Sequence, residues 1–127
     1  MKGQCYCGQV QYVISGDFKF VAHDHCSICR RISGAPFVTW AGVMEPQLTV
    51  TQGTEHLTTF KSTPPAERQF CSTCGSHLFF RSTRFPGEVH VTVATLTDEL
   101  KTPPQAHAYY GDRVPWLTVQ DELPKHI

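Results

Sequence analysis

Cys5-Tyr6-Cys7-Gly8 near the start of the chain and Cys71-Ser72-Thr73-Cys74-Gly75 in its second half decide how the fold is read. Each is a close cysteine pair followed at once by glycine. In a strand, positions i and i+2 share a face, so Cys5 and Cys7 offer two sulfurs to one ion. After Cys74 the glycine lets the backbone turn tightly and bring its amides towards the sulfurs. Together the two pairs make a tetrahedral four-thiolate set, the closed arrangement of a structural site, and zinc is the expected occupant. Such an ion clips the N-terminal strand to a hairpin far along the chain.

Working outward, a third pair stands apart. Cys26-Ser27-Ile28-Cys29 is followed by Arg30 and Arg31 rather than glycine, and His23-Asp24-His25 precedes it. Two thiolates with one further oxygen or nitrogen ligand leave a coordination position free, which describes a catalytic zinc. The same pair can instead join another pair in a single site, or stay free of metal.

Composition bounds the remainder. The chain has 127 residues, 40% hydrophobic and 17% charged, which fits one globular domain over residues 1–127. Eleven basic residues balance eleven acidic ones. This argues against a nucleic-acid or anionic-membrane partner, either of which calls for a basic excess. No apolar stretch is long enough to span a bilayer, and no leader pattern precedes Cys5. The expected compartment is the cytoplasm, where cysteines stay reduced and serve metals or catalysis; a disulfide-stapled secreted domain is the weaker alternative.

The texture between the cysteines is β. Val10, Tyr12 and Ile14 alternate within Gln9 to Ile14, as do Val89, Val91 and Val93 within Glu88 to Ala94. Phe18 to Ala22, Pro36 to Val43, Leu48 to Thr51, His56 to Lys61 and Ser76 to Ser82 are further short strands, separated by Gly and Pro turns. Helix is expected only around Cys26 to Arg31 and near Thr97 to Leu100. The fold class is therefore mainly β, compact and mostly antiparallel, with short helical turns and metal sites at its edges. Phe37, Trp40, Phe60, Phe70, Phe79 and Phe80 are expected in packing, and Trp116 is expected to pin the tail.

These motifs resemble a known family. Cys5-Tyr6-Cys7-Gly8-Gln9-Val10 is similar to the CxCGxV opening of the glutathione-dependent formaldehyde-activating enzymes, a family that also includes the centromere protein V group. Cys26-Ser27-Ile28-Cys29-Arg30-Arg31 resembles its CSxCRR segment, and Arg68-Gln69-Phe70-Cys71-Ser72-Thr73-Cys74-Gly75-Ser76-His77-Leu78 its RxFCxxCGSxL segment. Ala94 to Asp98, His107, Pro115-Trp116 and Asp121 to Pro124 match its end.

The resemblance implies a β-tent fold like that of the Mss4 zinc proteins. It implies a structural zinc on Cys5, Cys7, Cys71 and Cys74, and a second, chemically active zinc on a CxCxxC motif. It also implies carbon–sulfur lyase chemistry, the addition of formaldehyde to glutathione. Here the chain departs from the pattern: position 24 is Asp24 rather than cysteine. Aspartate is a legitimate but harder zinc ligand, and one thiolate fewer leaves the ion more Lewis-acidic. By position Asp24 joins Cys26 and Cys29; His23 or His25 is the alternative third ligand. A glutathione-like thiol carries two carboxylates, for which Arg30, Arg31 and Arg68 are the candidate partners. The competing expectation is a non-catalytic module with one zinc that binds a small thiol or a protein. Oligomeric state is not readable.

Overall fold

Two β-sheets face each other in the computed structural model, which describes residues 1–127. The smaller sheet holds β1 (Lys2–Gln4), β2 (Gln11–Ile14) and β5 (Leu48–Gln52), in the order β1-β2-β5. The larger holds β3 (Phe20–Asp24), β4 (Val38–Met44), β6 (Leu57–Phe60), β7 (Ala66–Cys71), β8 (His77–Ser82), β9 (Glu88–Thr92) and β10 (Ala106–Ala108). Its order is β10-β3-β4-β9-β8-β7-β6. Every pairing is antiparallel except β10 on β3, which is parallel. One helix, α1 (Ser27–Ser33), follows β3.

Alternation builds the core. Val10, Tyr12 and Ile14 turn inward from the small sheet and meet Val43, Leu78, Phe79, Val89 and Val91 of the large one. The Tyr12 and Phe79 rings pack edge to face at 5.3 Å, and the Tyr12 hydroxyl reaches Thr95 Oγ1 at 2.7 Å, so its polar end is satisfied inside. Cys5 and Cys71 complete this core, which places the four-thiol set at its edge.

The mainly β expectation holds, with local differences. Cys5 and Cys7 lie in a turn after β1, not in a strand. Strands β1, β7 and β10 were not anticipated. Thr97 to Leu100 is not helical; a 3-10 turn sits earlier, at Val93–Thr95. Phe60 is 49% exposed and Trp116 70% exposed, so neither packs as expected. Phe60 lies on β6, the edge strand of the large sheet, where nothing covers its outer side.

The outer face of the large sheet carries a row of registered residues. Arg68 on β7 is registered with Phe80 on β8, Phe80 with His90 on β9, His90 with Gly42 on β4, and Gly42 with Phe20 on β3. Five neighbouring strands thus contribute one row across the sheet. Gly42 leaves space in that row: a Cβ there would run into the Phe20 ring, which would have to shift. Without one, Phe20 lies across the strand and meets His90 edge-on at 4.9 Å.

Candidate functional site

Two clusters gather the metal-ligating residues. In the first, the ligand atoms of Cys5, Cys7, Cys71 and Cys74 all lie within 4.8 Å of one another. The Cys5–Cys7 and Cys7–Cys71 sulfurs are 3.6 and 3.8 Å apart. Zinc–sulfur bonds of about 2.3 Å set the edge of a tetrahedron at about 3.8 Å, so these two spacings match such an ion. All six cysteines are free, and 3.6 Å is far beyond a disulfide bond.

The backbone explains the convergence. Gly8 and Gly75 both hold φ of 79°, a left-handed conformation that side chains resist. Each closes a turn over its pair: Gly8 N–H donates to the Cys5 carbonyl and Gly75 N–H to the Cys71 carbonyl. The Val10 amide donates to Cys5 Sγ at 3.3 Å. Across the two turns, the Tyr6 amide donates to Ser76 Oγ, itself 3.2 Å from Cys74 Sγ.

The thiols titrate unequally. Cys74 is pulled down to about 5: burial opposes ionisation, but the Ser76 hydroxyl and nearby amides outweigh it. Cys7 is pushed up to about 12: the Gln9 amide favours its thiolate, but lost hydration and the three other thiols prevail. Four sulfurs this close ionise together only around a cation.

The second cluster is Asp24, Cys26 and Cys29, again within 4.8 Å. Strand β3 delivers Asp24, Cys26 caps α1, and Cys29 sits one turn along it, buried. Asp24 Oδ1 accepts from the Cys26 amide at 2.9 Å, and its Oδ2 lies 3.5 Å from the Cys29 thiol. Arg68, 6% exposed, donates from Nη2 to Cys29 Sγ at 3.5 Å and from Nε to Ser62 Oγ at 3.1 Å. Its guanidinium lies over the Phe80 ring at 5.0 Å. Burial, chiefly, raises the Asp24 pKa, although the Cys26 amide and Arg68 counteract it. Burial and then the Asp24 charge push the Cys29 thiol up to about 12. An ion that binds here must therefore displace the Cys29 proton.

His23 and His25 point elsewhere. His23 Nδ1 bonds Thr39 Oγ1 at 2.8 Å, and His25 Nε2 bonds His107 Nδ1 at 2.8 Å. His107, fully buried, continues to Asp121 at 2.9 Å and ties β10 to the C-terminal segment. Neither histidine belongs to the group formed by Asp24, Cys26 and Cys29. This histidine chain was not foreseen; only the resemblance at His107 marked it.

A cavity of about 560 Å³ opens beside the second cluster, with Asp24, Cys26, Cys29 and Arg68 in its wall. Arg30 and Arg31 do not line it; both sit on α1, Arg31 exposed and Arg30 with a buried Nε that has no partner. Arg84 does line it, as do Trp40 and His90, none of which the motifs marked as site residues.

Comparison with known proteins agrees with this picture. The family model for glutathione-dependent formaldehyde-activating enzymes matches residues 1–112. A protein of Halomonas elongata, named provisionally as such an enzyme, is 27% identical over 94% of this chain and 81% of its own length. A Fusarium vanettenii protein named in the same way is 30% identical over 64% of this chain, which covers 44% of that protein. A Rhodobacter sphaeroides protein of known crystal structure is 33% identical and superimposes with a TM-score of 0.67, covering 80% of this chain and 92% of that one. With a family match over almost the whole sequence and cysteine clusters able to hold metal, the chain belongs to the glutathione-dependent formaldehyde-activating enzyme family.

Proposed function

We propose that the protein is a zinc enzyme of carbon–sulfur chemistry that joins a glutathione-like thiol to a small carbonyl and runs the reverse cleavage. One observation carries this reading. A three-ligand cluster with a buried arginine beside it forms part of the wall of a substrate-sized cavity, in a chain of this family. A closed four-ligand site has no room for substrate; a three-ligand site does.

Cys5, Cys7, Cys71 and Cys74 would hold a structural zinc; Asp24, Cys26 and Cys29 would hold a second. The second ion supplies acidity, favouring the thiolate form of a substrate thiol and polarising a carbonyl oxygen. In the addition, the sulfur lone pair forms the new C–S bond, the carbonyl π pair moves to oxygen, and the proton lost from sulfur ends on that oxygen. Cleavage reverses each transfer.

The chain's own residues orient this exchange. Arg68 is fixed by Ser62, Phe80 and Cys29, so it presents a positioned cation to a carboxylate or a developing oxyanion. Asp24 is fixed by the Cys26 amide. The aromatic wall gives the cavity a largely apolar lining. A cytoplasmic location, with reduced cysteines and abundant thiol, suits this reading.

Elemental analysis tests it. The wild type is expected to hold two zinc ions per chain and Asp24→Ala one, with thiol-dependent formaldehyde consumption, corrected for the spontaneous reaction, lost alongside. One ion in the wild type would sink the proposal and leave a single-zinc binding module.

A further inference from the structure

The cavity is larger and more apolar than a one-carbon carbonyl needs. Its floor is the row Arg68, Phe80, His90 and Phe20 with Trp40 beside it, and Phe85 closes one side. The rings form a continuous aromatic box. Phe80 lies 5.9 Å from Trp40, 6.4 Å from Phe85 and 5.4 Å from His90; Phe85 lies 5.0 Å from His90. Burial holds His90 below the ordinary histidine pKa, so this ring adds no charge at neutral pH. The fixed cations in the wall are Arg68 and Arg84.

This distribution divides the site into two parts. Two guanidiniums suffice for the two carboxylates of a glutathione-like thiol. They leave the aromatic box unused, and the CH₂OH group that formaldehyde leaves on sulfur is too small and too polar to fill it. Cavities of roughly 300–1,000 Å³ hold drug-sized ligands, so there is room for a tripeptide arm together with a ring. From this we infer that the carbonyl partner carries an apolar, ring-sized group, an aromatic aldehyde being the simplest case, seated between Phe20, Trp40, Phe80 and Phe85. The inference rests on the thiol–carbonyl reading above and deepens it by naming the carbonyl class.

Gly42 supports the same division. It admits Phe20 into the floor, and any side chain there would displace that ring.

Thioethers that cannot turn over provide the test. Binding of S-benzylglutathione and S-methylglutathione to the zinc-loaded protein is measured by calorimetry. The benzyl compound is expected to bind at least about tenfold tighter, since a buried phenyl ring removes on the order of 100 Å² of apolar surface from water. Phe85→Ala removes a ring that is 36% exposed, so the fold is not at risk. It should reduce the benzyl preference several-fold, with S-methylglutathione affinity and metal content unchanged. Equal affinity of the two thioethers overturns the inference and leaves the thiol chemistry standing. A second pair, phenylmethanethiol and ethanethiol, lacks the tripeptide. A benzyl preference in this pair, with neither glutathione derivative bound, keeps the aromatic slot and refutes glutathione as the thiol. No preference in either pair refutes the slot. A benzyl preference that Phe85→Ala leaves intact also overturns it, because simple partitioning then explains the effect.

Discussion

The four-thiol cluster and the Asp24 cluster use the same kind of ligand for opposite ends. The first joins residues far apart in sequence, fixes them with two left-handed glycine turns and sits against the core. It presents four sulfurs and no vacancy for a substrate. The second draws its ligands from residues 24–29, mixes a carboxylate with two thiols, and lies in the wall of a cavity beside a buried arginine. One cluster is closed over a long stretch of sequence against the core; the other is assembled locally beside a cavity.

The contrast breaks first at Cys71, which is fully buried in the four-thiol cluster. Cys71→Ser is expected to abolish cooperative folding, because a structural zinc supplies on the order of 10 kcal/mol and a whole domain is stable by only about 5–15. Circular dichroism melting reads the outcome; a variant that still melts cooperatively would show that the four-thiol cluster is not structural. Cys29→Ser should do the reverse, dropping turnover at least about 100-fold while moving the melting temperature by no more than a few degrees. A collapse of the fold there would erase the distinction.

Asp24→Cys sharpens the comparison by making the second cluster more like the first. We expect second-site affinity for zinc to rise about tenfold or more, measured by competition with a chelator; unchanged affinity would show that Asp24 is not a ligand. Arg68→Lys keeps the charge but loses the fork. It is expected to raise KM several-fold with the metal content intact, and an unchanged KM would remove Arg68 from substrate binding.

The smallest expected effect is the response to acid. Burial lowers the pKa of His77 and His90 below the ordinary value of 6.5. As pH falls through about 6.5 the unfolded chain takes up these protons first, so the stability these histidines contribute is full above that pH and declines below it. Melting temperatures of the wild type and His90→Gln across pH 5 to 8 should diverge most at neutral pH and converge in acid; parallel curves would dissociate His90 from the effect.

Much of this was legible in the sequence, and the boundary has physical causes. The inward set Val10, Tyr12 and Ile14 follows from alternation, and the partition of cysteines follows from the glycine after each outer pair. The valine rhythm also put His90 on the opposite face from Val89 and Val91. Strand β7 escaped because Glu67, Arg68 and Gln69 put polar side chains on both faces in succession, so no apolar alternation announces it. Strand β10 is three residues long and earns its place only by parallel pairing with β3. The aromatic box could not be read because its row is made by register among five strands whose residues lie far apart in the chain. Phe60 and Trp116 show the converse error, in which a large ring suggests burial that the topology does not provide.

The wide sequence separation within the four-thiol cluster also sets an order of events during synthesis. Asp24, Cys26 and Cys29 leave the ribosome almost together, and closing so short a loop costs little entropy. Cys5 and Cys7 emerge first of all, yet their partners Cys71 and Cys74 follow more than sixty residues later. A nascent chain therefore passes through a stage with its first thiols unpaired while the local cluster is already complete. The local cluster has all its ligands early, and the four-thiol cluster is the last to close.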